Sequence, residues 1–372
     1  MSGNVAALVL AAGFSSRMGE FKPLLDLAGM TALERAVTLF RSAGVQDVRV
    51  VTGHRAAELA PLLQRLGVRE IHNPSYAEGM FASVAAGVEN IGEEVDAFFV
   101  LPVDLPLVRP TTVRRLMAAH RDAGGITYPT FQGKRGHPPL IAGWLAPEIV
   151  RWRGSNGLRG VLVQWEGVAR DAEVADEQIL RDMDTPDDYR ALREKSERLQ
   201  IPSEAECRLL LEEVFRVDPG IVSHGEAVAQ LAVALGRELN GAGCRLDLPL
   251  LAAAGLLHDL ARHEPDHART GAALLREAGY GAVADLVATH MDLAVPEGEP
   301  VGADEVVFLA DKLVQGARRV PLAERFQTKL ARHGQNPAVR ASIAGRLENA
   351  EIIQRRLEAV LGRSMAEVTA TL

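Results

Sequence analysis

The chain has 372 residues, 47% hydrophobic and 24% charged, with a formal net charge of −8. That length exceeds what one core usually serves and argues for two domains of about 100–200 residues each, while the acidic balance excludes the basic stripe of a nucleic-acid-binding surface. No apolar run reaches the ~18–20 residues of a membrane span, and Cys207 and Cys244 alone supply neither a disulfide framework nor a thiolate zinc site. The N-terminus shows no basic region ahead of an apolar one, so a cytoplasmic location without membrane association is expected.

An apolar run from Val5 to Leu10 predicts a buried parallel strand. It leads into Ala11-Ala12-Gly13-Phe14-Ser15-Ser16-Arg17-Met18-Gly19-Glu20-Phe21-Lys22-Pro23, whose small residues let backbone amides approach phosphate oxygens while Arg17 and Lys22 add fixed positive charge. The spacing is neither Gly-x-x-x-x-Gly-Lys-Ser/Thr nor Gly-x-Gly-x-x-Gly, so an ordinary P-loop or dinucleotide-binding reading is poor. A helix-like stretch from Thr31 to Ser42 and strand-like runs at Val48–Val51 and Ala97–Leu101 continue the alternation of a mostly parallel α/β sheet. Asp104 closes the apolar run that begins at Ala97, at the carboxyl edge where such sheets bind ligands, and suits a Mg²⁺ ion beside phosphates. Asp184 begins Asp-Thr-Pro, a common helix start.

Near Arg190 the chain becomes a charged helix and then reaches Ile201-Pro202-Ser203, with Ser203 as a helix N-cap. Domains of 1–198 and 199–372 are expected. Beyond Pro202 apolar residues recur at helical spacing with little strand signal, which predicts an all-α second half. Its chemistry lies in His224, His258-Asp259, His267, His290 and Asp311. Imidazole and carboxylate without thiolate suit Mn²⁺, Fe or Zn²⁺, metals that activate water. A His-Asp pair ending the apolar run Leu251–Leu257 is expensive unless something satisfies it. The last stretch, Pro337 to Leu372, has Ile343, Leu347, Ile352 and Leu357 near helical spacing and reads as a packing or homodimer helix.

The run Leu10 to Pro23 resembles the signature of nucleotidyltransferases that activate sugars, alditols and pterins, above all the molybdopterin cytidylyl/guanylyl transferases. Val103-Asp104-Leu105-Pro106 is similar to that family's metal-binding Asp motif, and Asp182-Met183-Asp184-Thr185-Pro186 to its late acidic segment. Asn73 to Val84 resembles the segment that contacts base and ribose, with Gly79 and Ser83 the matching positions, and Gly136-His137-Pro138 an element near the acceptor. The resemblance implies a nucleoside triphosphate bound by Leu10, Ala11, Ala12, Gly13, Arg17, Lys22, Gly79, Ser83 and Asp104. Lys22, Arg17 and Asp104 would be catalytic, Asp104 and Asp184 would hold Mg²⁺, and a phosphorylated acceptor such as molybdopterin would attack. Ala12 after Ala11 matches the cytidylyl branch and favours CTP. Gly154-Ser155-Asn156-Gly157 stands where relatives carry an acid in place of Ser155, which bears on the acceptor. A sugar- or alditol-phosphate acceptor is the alternative.

In the second half, Leu256-Leu257-His258-Asp259-Leu260 with Leu309-Ala310-Asp311-Lys312 resembles the HD phosphohydrolase superfamily. The resemblance implies that His224, His258, Asp259 and Asp311 hold one metal, that His267 and His290 serve a second with Asp259 between them, and that Asp259 and Lys312 are catalytic. Lys312 or Arg262 would steady charge on phosphorus. Hydrolysis of a phosphoester or pyrophosphate is expected; the alternative is a domain that senses a nucleotide.

Overall fold

The computed structural model describes residues 4–295 and 300–370, and the chain divides into two compact units, Met1–Leu199 and Gln200–Leu372. Among the described residues, the first unit is built on one eight-stranded sheet, in which Lys134–Arg135 hangs as a hairpin arm on Ile126–Phe131. The other seven strands run in the order Ala169–Glu173, Ile126–Phe131, Leu140–Ala142, Ala97–Pro102, Val5–Ala11, Asp47–Thr52, Arg69–His72. Leu140–Ala142 is antiparallel to both neighbours, and the remaining adjacent pairs are parallel.

Val5–Ala11 is central and, Val5 apart, buried, which is why its residues are continuously apolar rather than alternating. Its register pairs Leu10 with Pro102 and Ala11 with Thr52, so three neighbouring strands end level and release their loops at one sheet edge. Phe99 meets Phe40 of the helix Ala32–Ser42 at 5.4 Å, while Phe98 enters the core on the opposite face with Leu8 and Val100. Ala32–Ser42 is started by a capping box in which Thr31 and Glu34 satisfy each other's backbone N–H. The charged helix begins earlier than its composition suggests, at Pro186, because Thr185 caps it reciprocally with Asp188.

The second unit is helical, as expected, with one addition: the two-residue strands Val314–Gln315 and Arg318–Arg319 pair around a turn at Gly316. Ser203 caps the first helix, Glu204–Leu209, in a capping box with Glu206. At the centre, Leu248–Leu257 is apolar on all sides and packs against the long helix Pro219–Gly241. Glycines set that contact. A Cβ on Gly255 would lie 2.5 Å from Ala229 Cα, and one on Gly225 would lie 2.6 Å from the Leu256 carbonyl oxygen. The backbones therefore touch where His224 and His258 must face each other. The long helix Pro337–Leu361, followed only by the short helix Met365–Ala370 among the described residues, buries Ile343, Ala350, Ile353 and Leu357 and is tied back to this unit by Arg356–Glu305 and Arg346–Asp292 ion pairs. Ile353, rather than Ile352, takes the inward position. Among the described residues no helix is long and apolar enough to cross a membrane.

Candidate active sites

In the first unit the chain leaves the central strand and turns back at Ser15, whose φ is +56° and whose Oγ accepts the Lys22 N–H at 3.2 Å. This fold-back carries Lys22 into the mouth of the sheet edge. Its Nζ lies 2.7 Å from Asp184 Oδ1 and 3.4 Å from Asp104 Oδ2, and Arg17 Nη2 lies 2.8 Å from Asp184 Oδ2. The two acidic segments are clipped together by the Met183 N–H, which donates to the Asp104 carbonyl at 2.9 Å. Thr185 takes the helix cap, so Asp184 does not spend its carboxylate there and turns it toward Lys22.

The backbone from Leu10 to Gly13, with Arg17, Lys22, Gly79, Ser83, Asp104 and Asp184, lines one cavity of about 630 Å³. Burial pushes the Asp104 carboxyl above its usual range; Lys22 opposes that rise, and Asp184 and Asp182 add to it. Oxygen ligands from two carboxylates converging on one half-buried cation describe a place where a divalent hard cation fits. Ser83 is held from behind by Asn73, whose Nδ2 donates to its Oγ at 3.0 Å, both residues being buried. Sequence reasoning gave no role to Asp182, Phe14 or Tyr76, which also line the cavity. Phe14 is half exposed beside His54 and Tyr76, with ring centroids 5.1 and 5.4 Å away.

A second cavity of about 690 Å³ adjoins the first and shares Leu10, Pro102, Gly136 and His137 with it. Asn156, Gly157 and Arg159 reach it from the segment that departs from the family pattern, and Asn156 holds a left-handed φ of +64°. Arg135, one of the basic residues beside Gly136-His137-Pro138, is already engaged. It pairs with Glu166 and Asp171, each at 2.6 Å, and lies over the Tyr128 ring at 4.2 Å. Burial pushes the Tyr128 hydroxyl up to about 12 and His137 down, so both line the cavity uncharged near neutrality.

In the second unit the His and Asp residues gather from separate helices. His224 lies in Pro219–Gly241, His258 and Asp259 follow Leu248–Leu257, His267 opens His267–Glu277, His290 follows Gly281–Thr289, and Asp311 nears the end of Ala303–Lys312. Three of the rings point Nδ1 at a backbone carbonyl: His224 at Gly316 (2.8 Å), His258 at Gly255 (2.8 Å) and His290 at Val287 (2.6 Å). Those bonds require the Nδ1–H tautomer and leave the Nε2 lone pairs facing the cluster, the arrangement metal-ligating histidines adopt.

Asp259 is the hub. Its Oδ1 lies 3.3 Å from His267 Nε2 and 3.5 Å from His290 Nε2, and its Oδ2 lies 3.5 Å from His258 Nε2. Asp311 Oδ1 sits 3.2 Å from His224 Nε2 and 3.8 Å from His258 Nε2. Two ligand sets emerge, His224–His258–Asp259 and Asp259–His267–His290, each with its ligand atoms within 4.8 Å of one another. The Nε2 atoms of His258 and His290 are buried without a hydrogen-bond partner. Orphaned buried nitrogens are costly, and a metal ion at each set would satisfy them. Burial opposes a proton on His258, but Asp259 and Asp311 outweigh it and push that ring upward; for His290 burial wins and the ring is pushed down. Asp259 and Asp311 are both held far below the usual carboxylate range: against burial, Asp259 is stabilised by His258, His267 and His290, and Asp311 by Lys312, His224, His258 and Arg325.

Lys312 departs from the expected role. It is fully buried, its Nζ donating to Asp311 Oδ2 at 2.6 Å and to the His290 carbonyl at 3.0 Å, so it braces the ligands and does not face a substrate. Arg262, 45% exposed and 3.3 Å from Asp259 Oδ1, keeps an open side. Arg325, which sequence reasoning missed, lies 3.3 Å from Asp311 Oδ1.

Residues 7–168 match the MobA-like NTP transferase domain, and residues 221–316 match the HD domain. The chain is 28% identical over 192 residues to the molybdenum cofactor cytidylyltransferase of Escherichia coli, covering 51% of this chain and 96% of that protein. It is 30% identical over 139 residues to a probable molybdenum cofactor guanylyltransferase of Bacillus cereus, covering 37% and 67%. A stretch of 124 residues is 40% identical to a bifunctional IPC transferase and DIPP synthase of Rubrobacter xylanophilus, covering 32% of this chain and 28% of that protein.

Proposed function

From a chain that belongs to the MobA-like NTP transferases through its first half and carries an HD domain in its second, we infer a bifunctional enzyme. The first unit transfers a nucleotidyl group, with CTP favoured, to molybdopterin; the second hydrolyses a phosphoester or pyrophosphate. The observation that carries the transferase reading is the convergence of Asp104 and Asp184 on Lys22 inside the cavity. The E. coli relative, named as a molybdenum cofactor cytidylyltransferase and matched over nearly its whole length, supports the choice of base and acceptor.

In the transfer, an acceptor phosphate oxygen bonds to the α-phosphorus and the bond to the β-phosphate oxygen breaks, releasing pyrophosphate. Asp104 and Asp184 would hold Mg²⁺, which when bound neutralises charge on the triphosphate. Lys22 and Arg17, once released from the carboxylates, would pair with the phosphates. In the second unit His224, His258, Asp259 and Asp311 would hold one ion and Asp259, His267 and His290 another, of Mn²⁺, Fe or Zn²⁺ type, which would supply Lewis acidity and lower the pKa of water. Lys312 keeps Asp311 ionised, and the carbonyl-bound Nδ1 atoms keep the rings aimed.

Pyrophosphate release with Mg²⁺ and molybdopterin, compared across CTP, GTP, ATP and UTP, tests the first activity. CTP should be preferred, and Lys22→Ala should lower turnover about 10²–10³-fold. If molybdopterin accepts from no nucleotide, the acceptor assignment fails. The match to a protein named as an IPC transferase favours a sugar- or alditol-phosphate acceptor as the second reading, and the same assay with those phosphates decides it. A metal-loaded second unit that binds a nucleotide without turning over any phosphoester or anhydride would make it a sensor.

A further inference from the structure

The HD match ends at residue 316, yet the helix Leu322–His333 brings two more cations to the metal-ligand cluster. Arg325 and Lys329 are four residues apart and so share a helix face. Arg325 is held by the Val314 carbonyl and by Asp311, and its Nε is buried with no hydrogen-bond partner. Lys329 is half-buried, and among the described residues no carboxylate is within ion-pair distance of it. Its ammonium lies 5.8 Å from the Phe326 ring centroid, one turn along the helix from Arg325; burial pushes it down to about 8, Asp311 counters this, and Lys312, Arg325 and Arg262 reinforce it. Arg262 adds a half-exposed guanidinium 3.3 Å from Asp259 and from His267 Nε2. Asp292, the next acid along the chain from His290, is taken by Arg346.

Two carboxylates, Asp259 and Asp311, therefore face four cations, Arg262, Lys312, Arg325 and Lys329, before any divalent ion is added. Lys312 is spent on Asp311 and the His290 carbonyl. Arg262 is paired with Asp259 and Arg325 shares Asp311 with Lys312, so the four cations exceed the two carboxylates by two charges. Like charges are gathered at that cost where a multiply charged anion completes the site. We propose that Arg262, Arg325 and Lys329 form a subsite for a phosphate chain, binding phosphates beyond the one at the metal-ligand cluster. A phosphodiester with one negative charge would leave the subsite uncompensated; a nucleoside polyphosphate or inorganic polyphosphate would fill it. The proposal rests on the hydrolase reading of the same cluster for its place in a reaction, though not for binding.

The test uses the full chain loaded with Mn²⁺ and carrying Lys22→Ala to weaken triphosphate binding in the first unit. Inorganic tripolyphosphate is titrated calorimetrically into this parent, into Lys329→Gln and into Lys329→Arg, with metal content measured in each. Lys329→Gln should weaken binding about tenfold or more at unchanged metal content, and Lys329→Arg should restore most of it. Equal affinity in parent and Lys329→Gln, or no binding by the parent, overturns the subsite. Loss of binding in Lys329→Gln together with absence of turnover on phosphomonoesters and anhydrides keeps the subsite and overturns the hydrolase reading. Turnover with no dependence on Lys329 does the reverse. If Lys329→Gln loses metal, the comparison passes to Lys329→Arg and to Arg262→Gln, on a different element: tripolyphosphate affinity unchanged in Arg262→Gln also overturns the subsite.

Discussion

The two sites solve the same problem, holding acids close together, by opposite means. At the sheet edge Asp104 and Asp184 keep 19% and 24% of their side-chain surface and are neutralised by loop cations, Lys22 and Arg17, that are free to exchange for a ligand. In the helical unit Asp259 and Asp311 keep 8% and 6%, His258 keeps none, and the rings are fixed by backbone carbonyls, those of His258 and His290 within their own helices and that of His224 from the Gly316 turn. The loop site can be rearranged at little cost to packing. The helical site is part of the core, so its chemistry and its stability are one property.

The hardest test of that contrast is Asp259→Asn. Because this carboxylate stands between both ligand sets, metal should be lost from each and hydrolysis abolished, while nucleotidyl transfer persists; elemental analysis beside both assays reads this out. A variant that keeps one full metal would mean that the two sets are independent. Next come two glycine substitutions chosen to be equivalent in chemistry. Gly255→Ala sets its methyl 2.5 Å from Ala229 Cα, where no side chain can step aside, and should destabilise the helical unit by about 1–3 kcal/mol and reduce metal content with it. Gly87→Ala, in the helix Met80–Glu89 over the sheet, meets only the side-chain ends of Leu8 and Val51 at 3.0 Å. It should cost under about 1 kcal/mol by thermal unfolding and leave transfer within a few-fold. Equal losses at the two positions would remove the distinction.

The smallest expected effect is on pH dependence. Burial raises Asp104, and Asp182 and Asp184 raise it further, so the acid limb of the transfer profile should lie above the ordinary carboxylate range. Asp182→Asn removes one of those negative neighbours and should move the limb to lower pH. Lys22→Ala removes the opposing cation and should move it higher. A limb that ignores both variants would show that Asp104 does not govern it.

Much of this was legible because local signals are strong where the chain has little choice. The apolar run from Val5 to Leu10 marked a buried parallel strand, which the fold makes central, the scarcity of strand pattern after Pro202 marked the helical half, and Asp104 and His258-Asp259 stood out as acids or imidazoles ending apolar runs. Motif order paired His224 with His258 across 33 intervening residues. What sequence could not supply were the directions of side chains and the partners brought in from afar. Lys312 reads as a substrate-facing cation until the fold places it fully inside, against Asp311. Gly316 carries no signal, yet its carbonyl orients His224 from a hairpin that composition did not announce. Arg325 and Lys329 read as the polar face of an ordinary amphipathic helix, since i,i+4 spacing says that two residues share a face but not what that face meets.

The sequence alone therefore determined which chemistry is carried and on which kind of element, because residue type and periodicity are local properties. The tertiary structure decided which acids are neutralised, by what, and how tightly. Burial, desolvation and the balance of charge depend on neighbours brought together from distant parts of the chain, and only the packed fold specifies them.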